Sequence, residues 1–213
     1  MSKNIVIIGA GGHAKIVVDI IEHTGDIIYG LTDVNYLEKR ECMGYPIIGN
    51  DEILQSVISN EIKFAAMGIG HVGYPDSRNK SYQYAQKIGY IFPVLVHPSA
   101  VIANTAIIGE GSVCAAHSTV NVDARIGKIC IVNSAAVIEH DVQMEDGVHV
   151  APHAVVLGEA HIGKNSFIGA GSVILQGIRI GKNCIIGAGS VVLHNVDDDC
   201  VVVGNPGRII KRR

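Results

Sequence analysis

The chain has no tryptophan and only three phenylalanines in 213 residues, and charged residues make up just 17% of it. Leucine is scarce as well, with seven against 58 isoleucines and valines together. That β-branched bias favours strands over helices. The five cysteines, Cys42, Cys114, Cys130, Cys184 and Cys200, are odd in number, scattered and without a CxxC pair. They fit neither a disulfide framework nor a cysteine zinc site, and are expected to be reduced and buried. There is no surplus of positive charge: the net charge is -3 and the pI near 6.3, so neither nucleic acid nor an acidic membrane surface is an expected partner. No apolar run approaches the roughly 18 residues of a membrane span, and residues 1–8 carry no leader-like stretch ahead of a cleavage site. A cytoplasmic location is expected. With 48% hydrophobic residues the chain can build real cores, which excludes disorder.

The aromatics are unevenly spread. Nine of the ten, all seven tyrosines with Phe64 and Phe92, precede residue 96, and Phe167 stands alone after it. A boundary at 95/96 follows. Residues 1–95 alternate β-branched runs (Asn4 to Ile8, Ile27 to Leu31, Phe64 to Met67, Ile91 to Val94) with helical patterns (Ala14 to His23, Ser77 to Ile88), which reads as a small Rossmann-like α/β half domain. Residues 96–213 carry a repeat. Steps of six from Val96 through Ile102, Ile108 and onward to Val192 meet an apolar residue at all seventeen positions. From Ile102 on, the residue two before each is mostly small, as at Ala100, Ser112, Cys130 and Cys184, with Val142, Val148 and Ile178 as exceptions. A period of six suits a β-solenoid in which three short strands with corners make an 18-residue coil. Successive coils rise about 4.8 Å, some 27 Å in all.

Gly9, Gly11 and Gly12 lie between a predicted strand and a predicted helix, where backbone N–H groups and the positive helix end can meet a phosphate. Asp33, near the end of the second strand, can accept from a ribose hydroxyl. Ala14 stands where GxGxxG has its third glycine, so a tight turn serving only strand–helix packing weighs equally. About 95 residues hold half a dinucleotide fold, which favours a mononucleotide over NAD. Arg78 is either a diphosphate counter-charge or an exposed helix arginine.

Ten histidines cannot all be chemical. His140 follows Ile138 at a solenoid corner where side chains point outward, with Asp141 beside it, and an imidazole oriented by a carboxylate is equipped as a general base. A solvated corner pair is the alternative. Gly158 lies one 18-residue coil beyond His140, so its N–H can serve as an oxyanion donor near that base. His149 is half a coil away, so the two histidines meet only across subunits. Zinc held by His149, His153 and His161 is a weaker reading: His117 and His153 occupy equivalent corners two coils apart, about 10 Å, too far to share an ion. Cys114, Cys130 and Cys184 sit at inward or small-residue positions and are explained by packing, so no cysteine nucleophile is expected.

The opening Ile8-Gly9-Ala10-Gly11-Gly12-His13, the repeat, Ile138-Glu139-His140-Asp141 with His149, and the closing Gly204-Asn205-Pro206-Gly207-Arg208 together resemble one family over nearly the whole chain. It is that of the hexapeptide-repeat acyltransferases with a left-handed parallel β-helix, and within it the sugar O- and N-acetyltransferases of the NeuD and PglD type. The left hand, a homotrimer and active sites between subunits are what the resemblance implies. It further implies a UDP-sugar whose nucleotide is lined by Gly9, Gly11, Gly12, His13 and Asp33, with Gly68 and Gly70 in a second glycine turn. Thr32 stands where some relatives place a further acidic residue before Asp33. His140 is implied as the base, Asp141 as its orienting partner and Gly158 N–H at the thioester oxygen, with His149 and Asn133 matching donor and acceptor contacts. Pro206 and Arg208 match the loop near the coenzyme A nucleotide, where the basic tail, Lys211 to Arg213, would suit phosphates. Gly169, Gly171, Gly187 and Gly189 would let the pantetheine arm lie close to the backbone. The expected activity is acetyl-CoA-dependent N-acetylation of the 4-amino group of a UDP-linked amino-dideoxy sugar, without metal. O-acetylation of a sugar such as sialic acid and a non-catalytic sugar-nucleotide sensor are the rivals.

Overall fold

A computed structural model describes residues 2–212, so Arg213 of the basic tail lies outside the described residues. The chain forms two compact units. One holds the chain up to Gly70 together with Asp76–Pro98, and the other His71–Pro75 with the chain from Ser99 onward.

The first unit is built on a five-stranded sheet. Its elements are β1 (Asn4–Ile8), α1 (Gly12–Thr24), β2 (Ile27–Thr32), β3 (Glu41–Cys42), β4 (Tyr45–Gly49), α2 (Leu54–Ser59), β5 (Phe64–Met67) and α3 (Asp76–Lys87). The sheet order is β3-β4-β2-β1-β5, parallel except for the β3/β4 hairpin. Ile5, Val6, Ile7 and Ile8 are fully buried, the near-continuous apolar run that a central parallel strand needs. On α1 the buried residues Ala14, Val17, Val18 and Ile21 follow the i, i+3, i+4, i+7 stripe. The helix ends at Gly25, whose φ of 75° is left-handed and favours glycine. Because β2 and β5 flank β1 on opposite sides, the carboxyl end of β1 is a topological switch point, where open α/β sheets take ligands. The expected strand Ile91 to Val94 is not formed. Ile91 makes a single bridge to Phe64, and the two-residue strand there is Leu95–Val96. The β3/β4 hairpin and α2 were not legible as elements, their apolar runs being short.

The second unit is a left-handed parallel β-helix. Two-residue strands stack into three faces, each strand pairing in register with the one 18 residues on, as in Thr119↔Val137 and Val120↔Ile138. The second residue of each pair points inward, and Val120, Val132, Ile138, Val150, Val156, Ile168, Ile174 and Ile186 are fully buried. Each such side chain removed from water contributes about 1.5–3 kcal/mol. Buried serines at the small positions bond the neighbouring coil: Ser112 Oγ donates to Gly127 O (2.8 Å) and accepts from Cys130 N (2.9 Å). Left-handed corners recur each coil and are held even by non-glycines such as Asp141 (φ 59°) and Asn165 (φ 61°). An antiparallel hairpin, Cys200–Val203 with Arg208–Arg212, closes the last coil.

Candidate active site

Within the first unit two glycine loops meet at the carboxyl ends of β1 and β5. Gly9 has a left-handed φ of 94°, and a Cβ there would collide with Ile69; one at Gly68 would strike the Gly9 carbonyl. Close approach of the two loops therefore requires both glycines. Gly11 and Gly12 are different. They have ordinary φ values, and a Cβ on either would meet nothing within 4 Å. They begin α1, whose N-terminus has no side-chain cap. A helix start without a side-chain cap, on residues with room around their α-carbons, is the kind of place where an anion can approach backbone N–H groups. His13 stands beside it, held close to Gly70, where a Cβ would lie 3.1 Å from that of His13.

The carboxylate of Asp33 is already engaged. Oδ2 accepts from Ala10 N (3.2 Å) and Oδ1 from Asn35 N (2.9 Å), so it ties the glycine loop to the turn after β2. Lys39 Nζ donates to the Ala10 carbonyl. Thr32 supports the same region through Asp51, whose Oδ1 accepts from Thr32 Oγ1 and Oδ2 from Ser81 Oγ, both at 2.6 Å. This brace was not foreseen. Arg78 is not exposed: it is fully buried, and its Nη1 donates to the carbonyls of Met67 and Ile69, bracing the second glycine loop from below.

In the second unit His140 and Asp141 occupy the outward corner after the strand Val137–Ile138. Asp141 Oδ2 accepts from His140 Nδ1 at 2.9 Å. This places the imidazole proton on Nδ1 and the lone pair on Nε2, the arrangement of a ready base. The hydrogen bond to Asp141 raises the His140 pKa above its ordinary 6.5, desolvation opposes it, and the negative charges of Asp141, Glu139 and Glu159 add smaller upward contributions. The ring lies over Gly158: a Cβ there would stand 2.5 Å from His140 Cε1 and 2.6 Å from Nε2. Leu157 N and Glu159 N both donate into the ladder between coils. Among the described residues the N–H of Gly158 takes no part in that ladder.

His149 and Asn133 lie on another face of the solenoid and are both buried. His149 Nδ1 donates to the His71 carbonyl (2.7 Å), and its Nε2 accepts from Asn133 Nδ2 (3.2 Å). His71 is equally fixed, Nε2 donating to Gly147 O (2.9 Å) and Nδ1 accepting from Gly73 N (3.3 Å). Sequence reasoning missed His71, whose segment lies 78 residues from His149 and outside the repeat.

Near the closing hairpin Gly169 and Gly187 are accounted for by coil packing. A Cβ on Gly169 would meet Ile186 O at 2.5 Å, and one on Gly187 would meet Val203 Cγ1 at 2.9 Å. The glycines open to solvent on that edge are Gly171 and Gly189. Pro206 and Arg208 are exposed, and Arg208 bonds the Gly207 carbonyl. None of the five cysteines is bridged by a disulfide, and all are buried. Burial, with Cys130 nearby, pushes the Cys114 thiol up to about 12.

A β-helix of hexapeptide repeats carrying an outward His–Asp pair, with a glycine-loop α/β unit in the same chain, defines a hexapeptide-repeat acyltransferase. Residues 4–85 match the PglD N-terminal domain, and residues 159–194 the bacterial transferase hexapeptide with six repeats. The fold is shared with perosamine N-acetyltransferase from Caulobacter crescentus, solved with CoA and GDP-perosamine. The TM-score is 0.93 at 30% identity, covering 98% of this chain and 97% of that one. The chain belongs to the sugar acetyltransferases of the PglD/NeuD type. In sequence it is 36% identical over 82 residues to GDP-perosamine N-acetyltransferase of Escherichia coli O157:H7, 38% of this chain and 37% of that protein. It is 33% identical over 119 residues to UDP-N-acetylbacillosamine N-acetyltransferase of Bacillus subtilis strain 168, 52% of this chain and 50% of that one. The matched stretches thus span half or less of the curated relatives.

Proposed function

We propose that the protein transfers an acetyl group from acetyl-CoA to the 4-amino group of a nucleotide-linked amino-dideoxy sugar. The observation that carries this reading is His140, oriented by Asp141 and lying against the backbone of Gly158. The amine nitrogen attacks the thioester carbonyl carbon while His140 Nε2 takes its proton. The oxyanion accepts from Gly158 N–H, and collapse breaks the C–S bond as the proton passes from His140 to the leaving thiolate. No protein nucleophile is needed, and the buried thiols offer none.

The nucleotide diphosphate is assigned to the open cradle of Gly11, Gly12 and His13, with Gly9, Asp33, Gly68 and Gly70 shaping the loops around it. We read the nucleotide as UDP, as in the Bacillus relative; the Caulobacter relative, matched along nearly its whole length, favours GDP as the second reading. His149 and Asn133 are assigned to contacts around donor and acceptor, and Gly169, Gly187, Pro206 and Arg208 to the coenzyme A edge. Assembly as a homotrimer is supported by one face whose outward column runs Thr119, Val137, Val155, Val173, Val191, half-buried and almost wholly β-branched apolar, a flat face that a second copy would cover. Buried cysteines without disulfides suit the reducing cytoplasm. Among the described residues no helix is long and apolar enough to cross a membrane.

The test is release of free CoA thiol from acetyl-CoA against UDP-, GDP- and dTDP-linked 4-amino sugars and sialic acid. Release with one aminosugar nucleotide supports the reading and names the acceptor. Release only with a hydroxyl acceptor, or with none, contradicts it.

A further inference from the structure

The first unit holds a cluster that acetyl transfer does not use. Asp19 and His23 lie one turn apart on the same face of α1, and His97 reaches them from the chain just after the strand Leu95–Val96, which runs beside that helix. One ligand atom from each of the three falls within 4.8 Å of the others. We propose that Asp19, His23 and His97 form a binding site for Zn²⁺ or a neighbouring late first-row divalent ion.

The geometry supports this in three ways. His97 Nε2 is 3.6 Å from Asp19 Oδ2, close to the roughly 3.3 Å edge of a tetrahedron with metal–ligand bonds of about 2.0–2.1 Å. His23 Nδ1 is 2.8 Å from the Asp19 carbonyl, and when it donates there Nε2 is the ring atom left to ligate. A ring N–H given to a backbone carbonyl is the usual support of a ligating histidine. The two imidazole centroids are 5.0 Å apart, so the rings already converge. Two imidazoles and one carboxylate form a donor set suited to zinc and its neighbours rather than to calcium or magnesium. With Asp19 and His23 half-exposed, water completes the coordination. Such an ion would clip the end of α1 to a segment far along the chain, and cross-links that close long loops restrict the unfolded chain most. The role is structural and separate from the site at His140.

Isothermal titration of zinc chloride into the untagged full chain, stripped with EDTA, tests the proposal. The wild-type protein is expected to bind one tight equivalent per chain. Loss of any ligand should weaken it at least about 100-fold, beyond the cost of losing a mere supporting partner. His23→Ala, His97→Ala and the near-isosteric Asp19→Asn are the variants, and unchanged circular dichroism of each without zinc separates ligand loss from misfolding. Zinc should raise the Tm of the wild type and leave that of the variants unmoved. Absence of a tight equivalent, or its persistence in the His23→Ala, His97→Ala double variant, overturns the proposal.

Discussion

His140 and Gly158 stand one coil apart with the imidazole lying directly over the glycine backbone, so that a methyl on Gly158 would sit 2.5 Å from the ring. The two corners are held together by the stacked coils, with Glu159 N donating to the His140 carbonyl at 3.0 Å. Gly158→Ala is therefore expected to push the imidazole aside while the inward column is untouched. Misplacing a catalytic group by about 1 Å costs on the order of 100-fold. Steady-state kinetics should show kcat reduced by about that factor with the Tm within a few degrees of wild type.

The His140–Asp141 bond sets a pH dependence. A base must be unprotonated to act, and this histidine's pKa is raised above 6.5 by Asp141 first. kcat/KM should rise with pH through an apparent pKa above 6.5 and then level. Asp141→Asn removes the carboxylate, so the limb should shift toward acid as the plateau falls. A limb that stays in place in that variant would show that Asp141 does not tune the base.

The glycines of the first unit divide by their surroundings. Gly12→Val places a branched side chain in open space at the start of a helix, so the fold should keep its Tm while KM for the sugar nucleotide rises tenfold or more. Gly68→Ala meets the Gly9 carbonyl, and overpacking of this kind costs about 1–3 kcal/mol. It should lower the Tm. Thermal melts with and without nucleotide separate the two behaviours.

The thiols should be silent. With all five cysteines buried and Cys114 pushed up to about 12, an aromatic disulfide reagent should react with none of them at pH 8 in the native protein and with five after unfolding. Rapid loss of activity with the reagent would reopen a covalent route.

The solenoid was legible because its period is set by local geometry repeated seventeen times: each inward aliphatic from Val96 to Val192 carries the same message. The nearness of His140 and Gly158 was legible for the same reason, since an 18-residue coil converts sequence spacing into spatial neighbourhood. Where the repeat gives out, so did the reading. His71 meets His149 only because five residues leave the α/β segment and join the solenoid, and nothing periodic marks them. Arg78 looked exposed in a polar helix, yet it is buried beneath the loop it braces, an environment that only the fold reveals. The glycines carried one letter and two jobs: Gly9, Gly68, Gly169 and Gly187 yield to neighbouring atoms, whereas Gly11 and Gly12 face open space.

The most direct test of the account is the kcat of His140→Ala beside wild type, with saturating acetyl-CoA and the acceptor that the wild-type enzyme uses. Loss of a general base predicts a fall of about 100-fold or more, with acetyl-CoA affinity and oligomeric state unchanged. Turnover within a few-fold of wild type would contradict the assignment of His140 and with it the proposed chemistry.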